Sequence, residues 1–273
     1  MNRAQQLAYL NQALLADLPQ LAGEVAALPG DEAAQRRLLR ALMNLRPAEL
    51  PLDPEFLTVQ DAFLSAEREA KGVVDAAGLP DLPGHPGISL WQGDITRLKA
   101  DAIVNAANSA LLGCFHPCHG CIDNAIHSAA GLQLRAACHQ LMAAQGHDEP
   151  TGQAKITAGY NLPAKYVLHT VGPVIRGAVT DGDRGLLASC YRSCLTLAEA
   201  HGIESVDFPS ISTGVYGYPL AQAACVALKA IMDFLAEHEL PRRVRMVCHT
   251  EGTAKVYRQT YNMWYAGDKS ERL

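Results

Sequence analysis

The chain has 273 residues, of which 49% are hydrophobic, so it can bury a large core in one domain, or in one domain with an extension. Its net charge is −5 and it has no run of basic residues, which argues against general electrostatic binding to nucleic acid. It has no apolar stretch of membrane-spanning length and no signal peptide, and its eight cysteines do not suggest a disulfide framework. We therefore expect a reduced, cytoplasmic protein with neither a nucleic-acid nor a membrane partner.

Residues 1–76 are predicted to form a helical extension. Leucines at helical spacing, beginning with Leu7, mark one amphipathic helix. Asp31 is placed to cap a second helix, and a third follows Pro54. Because nothing in this segment suggests chemistry, we interpret it as a cap packed on the next domain, the alternative being a separate partner-binding module. Residues 77–87, rich in Pro and Gly, are predicted to be a connector.

From residue 88 short apolar runs alternate with helical patterns, which predicts an α/β fold with a mostly parallel or mixed sheet and helices on both faces. The predicted strands are Ile88–Gln92, Ala102–Asn105, Ala154–Thr157, Tyr166–Thr170, Ser205–Phe208 and Val244–Cys248. The predicted helices are 122–145, 183–201, 219–238 and 253–264. In such sheets ligands bind beyond the carboxyl ends of the strands.

The stretch richest in chemistry runs from Cys114 to Cys121. It contains three cysteines and two histidines, whose thiolate and imidazole groups are the ligands that zinc prefers. Gly113, Pro117 and Gly120 interrupt regular structure, so a loop is predicted. No second Cys/His pair follows at the spacing of a four-ligand structural site, and three ligands would leave one position for water or substrate, as in a catalytic metal site. The alternative is that these side chains are simply packed.

Three strand ends carry unusual polar residues. Asp94 follows the first strand of the domain, where it could accept a hydrogen bond from a ligand amine or cap a turn. Asn105 and Asn108 follow a buried strand, where they could fit a turn or bind a sugar. The small residues of 209–219 precede a predicted helix and expose consecutive backbone N–H groups, an arrangement that suits a phosphate.

Together these segments resemble the macrodomain family over about residues 88–265. The resemblance is carried by Gly93–Thr96, Ala102–Ser109, Ile122–His127 with Ala130 and Gly131, Tyr166–Pro173 and Ser212–Pro219. The Cys/His loop stands where ordinary macrodomains have a glycine-rich loop, and with the helical extension it resembles the zinc-containing subfamily. The resemblance implies a three-layer α/β/α macrodomain with a mixed sheet, preceded by the helical extension and followed by a C-terminal tail at 266–273.

The subfamily pattern Gly-Cys-Phe-x-Pro-x-His-x-Cys implies Cys114, His119 and Cys121 as ligands of a Zn²⁺ cofactor. His116 and Cys118 fall on variable positions of the pattern and are expected near the metal, with Cys118 kept as an alternative ligand.

The resemblance also implies a hydrolase that removes mono-ADP-ribose from modified proteins. In some members of the subfamily the target is a lipoyl-carrier protein modified by a sirtuin-type transferase. The residues expected to bind ADP-ribose are Asp94, Ile95, Asn108, Cys121, Ile122, Asp123, Ser212, Thr213, Gly214, Val215 and Tyr216. Asp94 and the N–H of Ile95 are expected at the adenine, the amides of 212–216 at the pyrophosphate, and Asn108 at the distal ribose.

Asn108 and Asp123 are the expected catalytic residues. Asp123 is predicted to act as a general base or to stabilise an oxocarbenium-like sugar, its alternative role being the N-cap of a helix that starts near Asn124. His127 and His169 are expected to be packed residues rather than catalytic ones. Three other functions stay open: an ADP-ribose reader with a structural zinc, an O-acetyl-ADP-ribose deacetylase, and a purely structural zinc protein.

Overall fold

The N-terminal extension is built from helices whose leucines face one another. The computed structural model describes residues 1–270, and the side chains of residues 1–264. The helices of the extension are α1 (Arg3–Asp17), α2 (Ala22–Ala26), α3 (Glu32–Leu45) and α4 (Pro54–Lys71). Buried leucines of α1 and α3 pack with Phe56 and Phe63 of α4 into one hydrophobic cluster. Asp31 caps α3 as predicted, accepting from the N–H of Ala34 at 3.0 Å.

A six-stranded mixed sheet forms the centre of the second part of the chain. Its strands are β2 (Ile88–Gln92), β4 (Ala102–Ala107), β5 (Ala154–Ala158), β6 (Tyr166–Val171), β7 (Ser205–Phe208) and β8 (Arg243–Cys248). The order is β2-β8-β7-β4-β6-β5, and every pair is parallel except β5 with β6. Two short strands, β1 (Val74–Asp75) and β3 (Leu98–Lys99), pair separately. The mixed α/β sheet is therefore confirmed.

Helices cover both faces of this sheet. One face carries α5 (Ile122–Ala130) and α6 (Leu132–Gln145), and the other carries α7 (Asp181–Ala200), α8 (Leu220–Glu237) and α9 (Glu251–Ser270). Strand β4 supplies both cores, because Ala102 and Val104 pack among α7 and α8 while Ile103 packs with α5 and α6. The predicted three-layer arrangement is confirmed.

The predicted helix over 122–145, the predicted helical extension and the predicted C-terminal tail differ from the structure. The helix predicted over 122–145 is two helices, because Gly131 adopts a φ of +98° that ends α5, and a Cβ there would meet the side chains of Gln60 and Gln133 at 2.7 Å. The extension is not helical to residue 76, since α4 ends at Lys71 and β1 follows. The C-terminal tail predicted at 266–273 falls partly on α9, and 271–273 lie outside the described residues.

No helix in the described part of the chain is both long enough and apolar enough to cross a bilayer.

Candidate functional site

Most of the candidate side chains lie beyond the carboxyl ends of β4 and β7, whereas Asp94 follows β2. The parallel pairing of β4 and β7 brings the loops that follow them to the same edge of the sheet. Tyr216, in the loop after β7, is half-buried, and its pKa is raised first by burial and then by the negative charges of Asp123 and Cys121. The loop after β7 therefore faces the start of α5, although these residues are more than 90 positions apart in the sequence.

The Cys/His loop, residues 113–121, brings three ligand-type atoms together. The Sγ of Cys114 lies 3.6 Å from Nδ1 of His119, and the ligand atoms of Cys114, His119 and Cys121 all lie within 4.8 Å of one another. Ligands at zinc bond lengths and tetrahedral angles would place a sulfur about 3.6 Å from a nitrogen. Burial raises the pKa of Cys121 to about 11, so a cation bound there has to displace its proton.

The two other ligand-type residues of this loop are held elsewhere. Cys118 has a φ of +53°, its N–H donates to Oδ1 of Asn44 at 2.9 Å, and its Sγ lies 3.4 Å from the carbonyl oxygen of Arg37. It thus faces the extension. The side chain of His116 is exposed, with its ring centroid 5.8 Å from that of His119. Neither residue joins the three-ligand group.

The extension holds the Cys/His loop in place. Arg40 of α3 donates to Oδ1 of Asn124 at 2.6 and 3.0 Å and to the carbonyl oxygen of His119 at 3.0 Å. Asn124 in turn donates through Nδ2 to the carbonyl oxygen of His116 at 3.0 Å. These contacts join α3, the loop and α5 into one hydrogen-bonded unit.

A buried arginine completes this connection from α6. The Nη1 of Arg135 donates to three carbonyl oxygens at 2.8 to 2.9 Å, those of Met43, Asn44 and Arg46 at the end of α3. Its guanidinium lies 4.3 Å from the ring centroid of Phe115 in the Cys/His loop. Burial lowers the pKa of Arg135 to about 10. Sequence reasoning did not find Arg40, Asn44 or Arg135, because no local pattern marks contacts between residues this far apart in the chain.

Asp123 is buried at the first turn of α5 and is hydrogen-bonded to β4. Its Oδ1 accepts from Nδ2 of Asn105 at 2.8 Å, whereas its Oδ2 makes no hydrogen bond with the described residues. Burial raises the pKa of Asp123 to about 6. The second hydrogen of Asn105 Nδ2 points to Nδ1 of His169 at 3.2 Å, and Nε2 of His169 lies 2.9 Å from Oγ1 of Thr157. Asp123 is thus held in one orientation by a buried polar network.

The two histidines beside this network are packed, as expected. Burial lowers the pKa of His169 to about 3 and that of His127 well below its usual range. Both rings are therefore neutral at physiological pH. Nε2 of His127 lies 3.5 Å from Oδ1 of Asp123, and the ring packs on Gly113, where a Cβ would approach it to 2.9 Å.

The alternative prediction that Asp123 caps the helix is wrong. Helix α5 begins at Ile122, and its N-cap is Cys121, whose Sγ accepts from the N–H of Asn124 at 3.4 Å. The cap was expected two residues later, at Asp123, because Asp is a common N-cap and Cys is not. The carboxylate of Asp123 is instead directed to Asn105. Cys121 and Ile122, both half-buried, form the junction between the Cys/His loop and α5.

Asn108 has a buried acceptor that no described group of the protein uses. Its Nδ2 donates to the carbonyl oxygen of Gly113 at 3.0 Å, and its buried Oδ1 has no partner among the described residues. Buried polar atoms in folded proteins are normally hydrogen-bonded. An acceptor left in this state beside the Cys/His loop fits a hydroxyl group brought by a ligand.

The loop 209–219 presents unused donors. The backbone N–H groups of Ser212, Thr213, Gly214, Val215 and Tyr216 donate to no acceptor among the described residues. The loop is nevertheless held firmly, because the N–H of Tyr218 donates to the carbonyl oxygen of Ser212 at 3.0 Å and that of Ile175 to the carbonyl oxygen of Tyr216 at 2.8 Å. Such a run of free amides in the loop that leads into α8 is chemically suited to an anion.

Asp94 has one free carboxylate oxygen. Its Oδ1 accepts from the N–H and the hydroxyl of Thr96 at 2.9 and 2.7 Å. This oxygen therefore caps the following turn, which was the alternative predicted for Asp94. Its Oδ2 and the N–H of Ile95 have no partner among the described residues. An adjacent acceptor and donor suit the edge of a purine base.

Comparisons with known proteins agree with this architecture. Residues 104–227 match the family model of the Macro domain. The chain is 44% identical over 259 residues to the protein-ADP-ribose hydrolase of Treponema medium, covering 94% of this chain and 98% of that protein. It is 52% identical to the O-acetyl-ADP-ribose deacetylase of Salmonella gallinarum, covering 62% of this chain and 91% of that one. A Trypanosoma brucei macrodomain in complex with ADP-ribose superposes with a TM-score of 0.63 at 35% identity, covering 79% and 94% of the two chains.

Proposed function

This chain belongs to the macrodomain family, and we propose that it is a zinc-dependent protein-ADP-ribose hydrolase, which cleaves mono-ADP-ribose from modified proteins. The observation that carries the proposal is the placement of Asp123, with a free carboxylate oxygen, two residues after the last of three converging ligand atoms. A lipoyl-carrier protein modified by a sirtuin-type transferase is a candidate target.

The Cys/His loop fits a zinc ion. The 3.6 Å separation of Cys114 Sγ and His119 Nδ1 is that of two ligands at a tetrahedral zinc. Two thiolates and a neutral imidazole would balance the charge of the ion, and three protein ligands leave a fourth position for water or a ribose hydroxyl. When bound, zinc would supply a mild Lewis acid beside the distal ribose.

The remaining residues bind and orient the nucleotide. Asp94 Oδ2 accepts from the adenine amine, and the N–H of Ile95 donates to the ring. The free amides of 212–216 donate to the pyrophosphate, which lets an acidic protein bind a dianion without a cluster of cations at that point. The free Oδ1 of Asn108 accepts from a hydroxyl of the distal ribose, and the ring of Tyr216 packs against that sugar.

Asp123 is the proposed general base. Its Oδ2 takes a proton from the attacking water as the water oxygen bonds to C1″ of the ribose. The bond from C1″ to the acceptor atom of the target protein breaks, and the acceptor leaves with the electron pair and is protonated from solvent. Asn105 fixes the carboxylate for this step from within the sheet.

A second candidate activity is deacetylation of O-acetyl-ADP-ribose, favoured by the 52% identity to a deacetylase of that name. To separate the candidates, the purified protein is incubated with a mono-ADP-ribosylated protein and, in parallel, with O-acetyl-ADP-ribose. We expect free ADP-ribose to be released from the protein substrate. Binding of ADP-ribose without release from either substrate would instead identify a reader.

Replacing Gly172 with alanine tests the position of the 209–219 loop. A Cβ at Gly172 would lie 2.1 Å from Oγ of Ser212 and 2.7 Å from Cγ2 of Ile211, so these side chains, or the loop that carries them, have to shift. We expect the Kd for ADP-ribose, measured by calorimetry, to rise by about tenfold. Gly185→Ala on α7, where a Cβ meets nothing within 4 Å, is the matched control and should bind like wild type. Unchanged affinity in Gly172→Ala would argue against the amides of this loop as the pyrophosphate site.

Replacing Arg40 with alanine tests the hold of the extension on the Cys/His loop. Without this side chain, Asn124 and the carbonyl oxygen of His119 lose three hydrogen bonds. Residues that orient metal ligands typically change metal affinity by about 10- to 100-fold. We therefore expect zinc to bind about tenfold more weakly in competition with a chromophoric chelator. Arg37→Ala, from the same helix but with no side-chain bond to the loop, is the control, and equal zinc affinity in both variants would contradict this role of Arg40.

A further inference from the structure

A basic groove separates the extension from the macrodomain. Its volume is about 310 Å³, and it lies between α3, α4, the turn after β2 and the face of α5 that carries Ala125 and Ala129. The cations that line it are Arg36, Arg37, Arg40, Arg68, Lys71 and Arg97. Glu67 and Asp94 are the carboxylates of the lining. Six cations against two carboxylates leave an excess of four positive charges, in a chain whose net charge is −5.

Most of this positive charge is not neutralised by the side chains that the structure describes. Arg36 pairs with Glu67 and Arg68 with Glu69. The side chain of Arg97 donates to a backbone carbonyl oxygen, and that of Arg40 donates to a carbonyl oxygen and a side-chain amide oxygen. Because these acceptors are neutral, the positive charges of both arginines are not balanced by them. The side chains of Arg37 and Lys71 are exposed and make no hydrogen bond or ion pair with the described residues. An anionic partner that binds here would therefore form ion pairs with cations that have no carboxylate partner among the described residues.

The groove adjoins the proposed active site at two points. Asp94 lines it at one side, and Arg40 connects it to the carbonyl oxygen of His119 in the Cys/His loop. Helix α5 separates the two spaces: Asp123 is directed to Asn105 on β4, whereas Ala125 and Ala129 face the groove. Arg40 therefore links the groove to the loop beside which the modified residue is expected.

We propose that this groove binds an acidic segment of the ADP-ribosylated protein, next to the modified residue. The inference rests on the proposed function and names the class of its substrate. The cations are distributed along the groove as separate side chains, and the side-chain carboxylates of an extended acidic peptide could pair with them one by one. A nucleic acid fits less well, because single strands are usually bound on aromatic stacking platforms, and the one aromatic residue of the lining, Phe63, is only 3% exposed.

The test uses two peptides mono-ADP-ribosylated at one residue, in the linkage that the wild-type enzyme hydrolyses. One has Asp and Glu around that residue, and the other has Asn and Gln. Wild type is expected to show a kcat/KM about tenfold higher for the acidic peptide at low salt. The double variant Arg37→Glu/Lys71→Glu should lose this preference and keep wild-type activity on the neutral peptide. The variant Arg192→Glu/Lys255→Glu, which makes the same charge change at exposed positions on α7 and α9, should keep the preference.

A binding measurement separates the groove from the chemistry. Fluorescence anisotropy of the unmodified acidic peptide is recorded with saturating ADP-ribose, so that the nucleotide site is filled. Salt-dependent binding by wild type, and its loss in Arg37→Glu/Lys71→Glu, would support the groove even if no hydrolysis were seen and the proposed function failed. Equal kcat/KM on both peptides together with no binding would overturn the inference and leave the proposed function standing. Displacement of the acidic peptide by a tighter-binding single-stranded oligonucleotide would also overturn it, in favour of a nucleic-acid site.

Discussion

Replacing Cys114 with alanine is expected to remove zinc and to lower the rate of ADP-ribose release by at least about a hundredfold. Two remaining protein ligands do not hold zinc well, and the developing charge beside the ribose would lose its stabilisation. The Kd for ADP-ribose should change by only a few-fold, because Asp94 and the free amides of 212–216 are untouched. Zinc per chain by mass spectrometry, release of ADP-ribose and calorimetry measure the three quantities.

Cys118→Ala is the matched control, since Cys118 lies in the same loop but faces the carbonyl oxygen of Arg37. It should keep about one zinc per chain and near-wild-type activity. If Cys118→Ala lost zinc while Cys114→Ala kept it, the assignment of ligands would be wrong. If Cys114→Ala lost zinc but kept its activity, the metal would be structural only.

Replacing Asp123 with asparagine should lower kcat by about 10²- to 10⁴-fold, the usual contribution of a general base. The change is nearly isosteric, and the new amide oxygen can still accept from Asn105, so the packing at the start of α5 should survive. Single-turnover release of ADP-ribose, with thermal unfolding as a check on folding, measures the effect. Zinc content should stay at the wild-type level because the three ligand side chains remain.

Asp94→Asn separates catalysis from binding. It keeps the oxygen that accepts from Thr96 but loses the carboxylate expected at the adenine. We expect KM to rise several-fold with little change in kcat, the opposite of the result for Asp123→Asn. A large loss of kcat in Asp94→Asn, or none in Asp123→Asn, would contradict the roles given to these carboxylates.

The fold and the local parts of the site can be predicted from the sequence because both depend on short-range patterns. Alternating apolar strands predicted the sheet, and β2 and β7 have the predicted bounds. The density of Cys and His between Cys114 and Cys121 identified a loop whose ligand atoms do converge. The small residues after β7 indicated backbone amides that have no partner among the described residues. The role of each of these residues in binding or catalysis stays a prediction.

What the sequence could not provide depends on contacts across long stretches of chain. Arg40 donates to His119 in the Cys/His loop and to Asn124 on α5, which lie 79 and 84 positions further along the chain. The sequence of a helix does not show which distant residue an arginine on it will contact. The basic groove is invisible for the same reason: its cations are scattered over 36–97, and only the packing of α3 and α4 beside α5 collects them. Cys121 was not predicted to be the N-cap of α5, because Asp is a much commoner N-cap residue than Cys and Asp123 lies nearby.

The most direct test of the central claim is the activity of the wild-type protein before and after zinc is removed. Release of ADP-ribose from a mono-ADP-ribosylated protein is measured on the protein as purified, after complete chelation, and after one equivalent of zinc is returned. We predict that chelation abolishes release, that zinc restores it, and that the Kd for ADP-ribose stays within a few-fold throughout. Full activity in protein shown to be free of zinc would contradict the account.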